Sequence, residues 1–136
     1  MAAVKWAVPS ARSSNILSTV ANSLANGSES AVVTYDNSTL RDLYAVVTLK
    51  LGSLTPSTSG SVSIRVTIND GTDTADKAGG TLYTAPLLSG TGAKVCMFEV
   101  RLPPFSLRLS VLNNAGVAFP ASGNELYVRP WNEDVT

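Results

Sequence analysis

Histidine is absent from this 136-residue chain, and cysteine occurs once, as Cys96. Without histidine, nucleophilic acyl transfer would have to run through a lysine, a carboxylate or a terminal amine. The two scarcities together exclude a Cys/His zinc site, and a lone thiol excludes an intrachain disulfide framework, so stability has to come from packing. Charge is sparse too, at 15% of residues, and Lys plus Arg equals Asp plus Glu at ten each. A chain with no net charge has no field to draw it toward nucleic acid or an anionic membrane, and it lacks the self-repulsion that keeps free monomers apart. That balance favours an assembly component. No apolar run approaches a membrane span, and the opening MAAVKWAVPSARSS holds none long enough for a signal peptide, so synthesis and residence in a cytoplasm are expected.

What the sequence does have is alternation. From Ser61 to Asn69, Val62, Ile64, Val66 and Ile68 fall on one side of an extended chain, with Ser63, Arg65 and Thr67 on the other; this is the period-two pattern of a strand with one core face and one wet face. Segments 46–51, 95–102, 105–112 and 125–129 repeat it. Cys96, Phe98, Val100 and Leu102 face inward in one of these, and Phe105, Leu107, Leu109 and Val111 in another. Turn-forming residues punctuate the runs, at Asn69-Asp70-Gly71, Gly79-Gly80, Pro103-Pro104 and Ser122-Gly123-Asn124 among others. Short strands between turns, with no strong helix between them, predict an all-β fold: an antiparallel β-sandwich, jelly-roll-like, with extended N- and C-terminal arms. The expected organisation is an N-terminal arm over 1–30, the sandwich over 31–130 and a C-terminal tail over 131–136. Within the arm, Ile16, Leu17, Val20 and Leu24 have helical spacing, while the abundant Ser, Thr and Asn favour an extended course; both readings stand.

Few residues suggest chemistry. Asp70, Asp73 and Asp76 cluster in NDGTDTAD, but no glutamate closes a twelve-residue calcium loop, so a solvated hairpin loop is the stronger reading and a calcium site the weaker. Cys96 reads as a small core hydrophobe. No catalytic residue, cofactor or metal ligand is assigned. Trp6 and Trp131 are more informative, because both lie outside the alternating runs and tryptophan is enriched at the centres of interfaces. Closing the end of their own sandwich and gripping another chain are equally good readings of this pair. Tyr127, Arg129 and Asn132 flank Trp131 as a polar rim, and Val8, Ile16 and Leu17 of the arm complete the candidate contact set. A carbohydrate-binding module remains open, although Tyr35, Tyr44 and Tyr83 are scattered along the sequence; a carboxylate-based hydrolase is the least favoured class.

Three segments are distinctive: the DNST run before a strand, LNNAGV, and ASGNELYVRPWNE. Through them, and over most of the chain from about Asn15 to Glu133, the sequence resembles small tailed-bacteriophage virion proteins of the capsid cement or decoration type, among them the jelly-roll cement proteins of short-tailed phages. The NDGTDTADKAGG loop departs from that group's pattern. The resemblance implies a homo-oligomer, dimer or trimer, on the outer surface of a capsid, with the major capsid protein of the same phage as partner and neither nucleic acid nor membrane as ligand. Its alternative is a tail or fibre module that binds a carbohydrate receptor.

Overall fold

In the computed structural model, which describes residues 3–135, nine strands form three antiparallel sheets. The strands are β1 (Val4–Trp6), β2 (Val33–Asp36), β3 (Tyr44–Leu54), β4 (Ser61–Thr67), β5 (Thr81–Pro86), β6 (Gly92–Arg101), β7 (Ser106–Asn114), β8 (Glu125–Trp131) and β9 (Glu133–Val135). One sheet has the order β2-β7-β4-β5 and the facing one β6-β3-β8, while β1 and β9 pair alone. From β2 to β8 the chain changes sheet at every connection except the β4–β5 hairpin. The expected antiparallel sandwich is therefore present.

The core follows the alternation. Ala45, Val47, Leu49 and Leu51 of β3, Leu107, Leu109 and Val111 of β7, and Leu126 and Val128 of β8 are all fully buried or within 1% of it. Cys96, Phe98 and Val100 of β6 join them, as their spacing predicts. Burial pushes the Cys96 thiol pKa up, which favours the inert, neutral form.

The alternation fails at two places. Strand β4 ends at Thr67, so Ile68 lies beyond the ladder and is exposed rather than inward, and Val66 is only partly buried. Phe105 also stays outside the core and supports the 69–74 turn: a Cβ placed on Gly71, which has φ +91°, would come within 2.9 Å of its ring.

The supposedly wet side of β4 is covered as well. Ser63, Thr67 and the neighbouring Ser110 are buried. Glu29 and Lys77 reach across this surface, the latter from the single 3-10 turn at Lys77–Gly79. Glu29 accepts from Arg65 Nε at 3.0 Å and from Ser110 Oγ at 2.8 Å, with Lys77 Nζ at 3.3 Å. Lys77 Nζ also donates to Ser30 O, and Arg65 Nη1 to Lys77 O. One carboxylate thus ties the 68–80 connection and the 28–30 segment to the sheet. Burial alone would raise its pKa, but the hydrogen bonds from Ser110, Arg65 and Lys77, with the charge of Arg65, outweigh that effect and hold it below the usual value.

The segment from Ser14 to Leu24 takes neither of its expected forms. Its first residues lie along β8, with Ile16 N donating to Leu126 O, and 18–23 is a run of turns, with Ser18 and Ser23 in the left-handed region at φ 52° and 55°, which a helix cannot accommodate. Nor is it a free arm. Leu17 and Ala21 are fully buried, and Asn15 Oδ1 accepts from the backbone N–H of both Leu17 and Leu126. Met1 and Ala2 of the expected arm, and Thr136 of the expected tail, lie outside the described residues.

Three further asparagines bind the long connections. Asn37, fully buried, donates to Asp42 O and Pro103 O and accepts from Asp42 N. Asn113 donates to Leu24 O and Val117 O and accepts from Ala115 N. Asn124 donates to Asn22 Oδ1 and Pro120 O, and accepts from Gly52 N at 3.3 Å.

Two predictions follow from these contacts. Asn37→Asp keeps the shape of the side chain but loses both donors, leaving two carbonyls unpartnered beside a buried acid; chemical denaturation at pH 7 should show a loss of about 2 kcal/mol or more. Glu29→Gln should cost about 1–3 kcal/mol at neutral pH by stranding two cations. Because the folded pKa of Glu29 is depressed, its contribution is complete above the ordinary carboxylate value of 4.5 and fades as pH falls through the lower folded value. The gap in Tm between wild type and Glu29→Gln should therefore narrow below about pH 4.

Candidate interaction face

Each sheet has one outward surface, and the two differ. The β2-β7-β4-β5 surface is partly closed by the Glu29 cluster, whereas the β6-β3-β8 surface carries exposed side chains along its whole edge strand. Val95 and Met97 are 57% and 65% exposed, and Glu99 and Arg101 continue the row. Among the described residues β6 pairs only with β3, so its other edge has no strand hydrogen-bonded to it there. Register sets the remaining rows. Across the three strands the rows run Glu99, Val46, Arg129 and Met97, Thr48, Tyr127. Charges of both signs are interspersed with apolar groups here.

The opposite edge, on β8, is covered by the N-terminal segment. Ala7, Ser10, Ser13 and Ile16 donate their backbone N–H groups to Asn132, Pro130, Val128 and Leu126, and Ser13 Oγ accepts from Val128 N. Ser10 Oγ also donates to Asp42 Oδ2 at 2.9 Å. Such docking blunts an otherwise open sheet edge. It also seats Arg12 with its guanidinium carbon 3.7 Å from the centre of the Tyr127 ring. Tyr127 Oη donates to Glu125, which raises the phenol's pKa.

At one end of this face three aromatic rings meet. Tyr44 and Trp131 are cross-strand partners and stack at 6.0 Å with 26° between planes. Trp6 stands edge-on to both, at 5.9 Å from Tyr44 and 6.2 Å from Trp131. The β1–β9 pairing holds it there, with Trp6 opposite Glu133, whose Oε1 accepts from Tyr44 Oη at 3.2 Å. Trp6 nevertheless remains 66% exposed. A shallow cleft of about 420 Å³ lies beside it, lined by Trp6, Ala7, Pro9, Glu99 and Trp131.

The structure therefore gathers Trp6, Trp131 and Asn132 at one end of this face, with Tyr127 and Arg129 further along β8. Val8 is almost wholly exposed on the same docked segment. Leu17 does not belong with them, because it is sealed in the chain's own core, and Ile16 packs against that core. Their helical spacing reflected burial rather than a free surface. Tyr44, Val95 and Met97 also belong to this face, and the sequence reading did not include them. Val95 and Met97 could have been found as large apolar groups on the polar side of an alternating strand.

Elsewhere, the Asp70 loop is organised around itself. Asp70 Oδ1 accepts from the backbone of Thr72 and Asp73, which lowers its pKa. Among the described residues no three Cys, Asp or Glu side chains are grouped to hold a metal ion. A cleft of about 510 Å³ opens where the 41–43, 66–69 and 101–104 segments meet; its one carboxylate, Asp42, is the acceptor of the Ser10 hydroxyl. No protein-family model matches the chain, and no curated protein matches it.

The aromatic cluster yields a measurable expectation. In a double-mutant cycle on Trp6→Ala and Trp131→Ala, thermal or chemical unfolding should give a coupling of about 0.5–1.5 kcal/mol, the range of paired aromatic rings. Strict additivity would mean that the two rings do not support each other.

Proposed function

We propose that this chain is a structural virion protein that binds the outside of a phage capsid and cements neighbouring capsomers. The observation that carries the reading is the face just described: a rigid sheet surface with exposed Val95 and Met97, ending in a preassembled aromatic triad with Trp6 projecting. Exposed aromatic anchors set within a mixed polar surface are the composition of interface hot spots. The sequence resemblance to cement proteins supplies the partner, the major capsid protein of the same phage. The sheet-to-sheet path of the chain is compatible with the jelly-roll-like winding that the resemblance implies.

The physical economy of such a protein also fits. A cement protein meets many copies of one site on a symmetric shell, so a dimer or trimer engaging several capsomers at once converts modest contacts into tight attachment. A balanced charge makes that attachment less sensitive to salt than a polyelectrolyte contact would be.

A second reading rests on one observation. Tyr44, distant in the sequence, joins two tryptophans in space, and a ring cluster beside Glu99, with Trp6 exposed and the other two rings half-buried, also suits stacking against a sugar in a tail or fibre module. Binding separates the two. Purified protein should co-sediment with capsids that lack it and raise their resistance to heat, while a glycan array stays silent; absence from the capsid pellet rejects cementing, and a saturable glycan signal establishes the alternative. Trp6→Ala should weaken capsid binding by tenfold or more, about 1.4 kcal/mol, while lowering the Tm of the free protein by only a few degrees.

A further inference from the structure

Two arginines lie partly buried on the outer side of the β2-β7-β4-β5 sheet, and only one has a partner. Arg65 is held by Glu29 at 3.0 Å. Arg108, on the adjacent strand β7, has no carboxylate within ion-pair distance among the described residues, and its Nε is buried with no hydrogen-bond acceptor. Thr67, its cross-strand neighbour, has a buried Oγ1 that is likewise unpartnered. A desolvated guanidinium donor without an acceptor is costly, and it is best satisfied by an anion with two oxygens that match its planar fork.

The surroundings favour such a ligand. Arg108 forms part of a cleft of about 350 Å³ whose lining is otherwise uncharged and mostly polar, including Ser38, Asn69, Thr72, Thr74 and Ser106. The nearby acids are turned to local backbone: Asp36 Oδ1 accepts from Ser38 N, and Asp70 Oδ1 from Thr72 and Asp73. The wall at 69–74 is built in advance. Asn69 Nδ2 donates to Ser106 O at 2.7 Å, its Oδ1 accepts from Gly71 N, and Gly71 rests against the Phe105 ring. With one cation and several hydroxyl groups, the cleft balances a single negative charge better than a phosphate dianion.

We propose that Arg108 anchors a carboxylate-binding site in this cleft, with the carboxylate coming from a free small acid or from an Asp or Glu side chain of another polypeptide. The site is separate from the aromatic face and does not depend on the cementing role. The test reads Arg108 directly, through its side-chain Nε–H resonance in a ¹H–¹⁵N spectrum of the intact chain titrated with acetate, with chloride and phosphate at matched ionic strength as controls. Acetate should move that resonance saturably, with half-saturation on the order of 10 mM, the weak affinity of a single ion-paired fork. In Arg108→Lys, which retains the charge but not the fork, the acetate response of the Thr74 and Ser106 amides should weaken at least tenfold. A capped aspartate amide distinguishes the sources: its binding shows that a side chain can reach the fork, whereas binding of acetate alone shows that only a free acid fits. An unmoved Nε–H resonance, an equal response to chloride, a response to phosphate but not acetate, or an undiminished response in Arg108→Lys would each overturn the proposal.

Discussion

The fold depends on keeping the polar backbone of its long connections satisfied while they are packed against an apolar sandwich. Buried amides and carbonyls are costly when unpaired, and the connections here are too irregular to satisfy their own. Asparagine solves this locally, because its side chain offers two donors and an acceptor and so imitates a strand neighbour wherever no strand runs. Asn15, Asn37, Asn113 and Asn124 each join two or more segments distant in the sequence. Remove them and the sheets would still have greasy faces, but the loops that seal their ends would keep only their scattered backbone pairings, such as Ser23 N to Pro120 O and Phe119 N to Leu24 O. This also explains why three of these residues fall within the sequence's most distinctive segments, DNST, LNNAGV and ASGNELYVRPWNE: those motifs specify the closure of the sandwich.

Closure is uneven, and the unevenness shapes the functional reading. The Glu29 cluster ties the 68–80 connection to the four-stranded sheet, and Ser110, which donates to Glu29, is hidden despite its polarity. Over the three-stranded sheet no comparable segment crosses, and the N-terminal segment is spent on the β8 edge instead. What stays open is the β6 side, where Val95 and Met97 sit in water. An apolar row on an unpaired edge strand is an association hazard for a free monomer, and natural proteins usually blunt such edges with charge or proline. Here Glu99 and Arg101 lie at only one end of the row. In the cementing proposal that hazard becomes the means of attachment.

Much of this architecture was legible because period two is a local signal. Val62 and Ile64, Cys96 through Val100, and Leu107 through Val111 all pointed to the core from spacing alone. Most of the failures turned on a partner far away in sequence, while Ile68 failed for the local reason that β4 ends at Thr67. Ser63 and Arg65 looked solvated because their partners, the Thr84 hydroxyl and the Glu29 carboxylate, lie far away in sequence. The 14–24 segment looked helical or free because its real determinants, Asn15 pairing with the β8 backbone and left-handed turns at Ser18 and Ser23, leave no periodic trace. The asparagines announced turns, correctly, while hiding which carbonyls they would bind. At the candidate face the tryptophans were visible as outliers, but Tyr44 became informative only once the β3–β8 register set it against Trp131.

The termini also bear on a choice that the sequence left balanced. Folding back to close the molecule and projecting to grip another were set against each other for Trp6 and Trp131; the rings do fold back on one another, and Trp6 still leaves most of its surface open, so the geometry allows both roles. Pairing of β1 with β9 restricts the backbone around Trp6, and edge-on contact with Tyr44 and Trp131 restrains its ring, so the ordering entropy is already spent in the free protein. A ring held in place while two-thirds exposed can bind without the further entropic cost that a loose arm incurs on docking. A ring already ordered in the free state is, on entropic grounds, better suited to the proposed recognition than a loose arm would be.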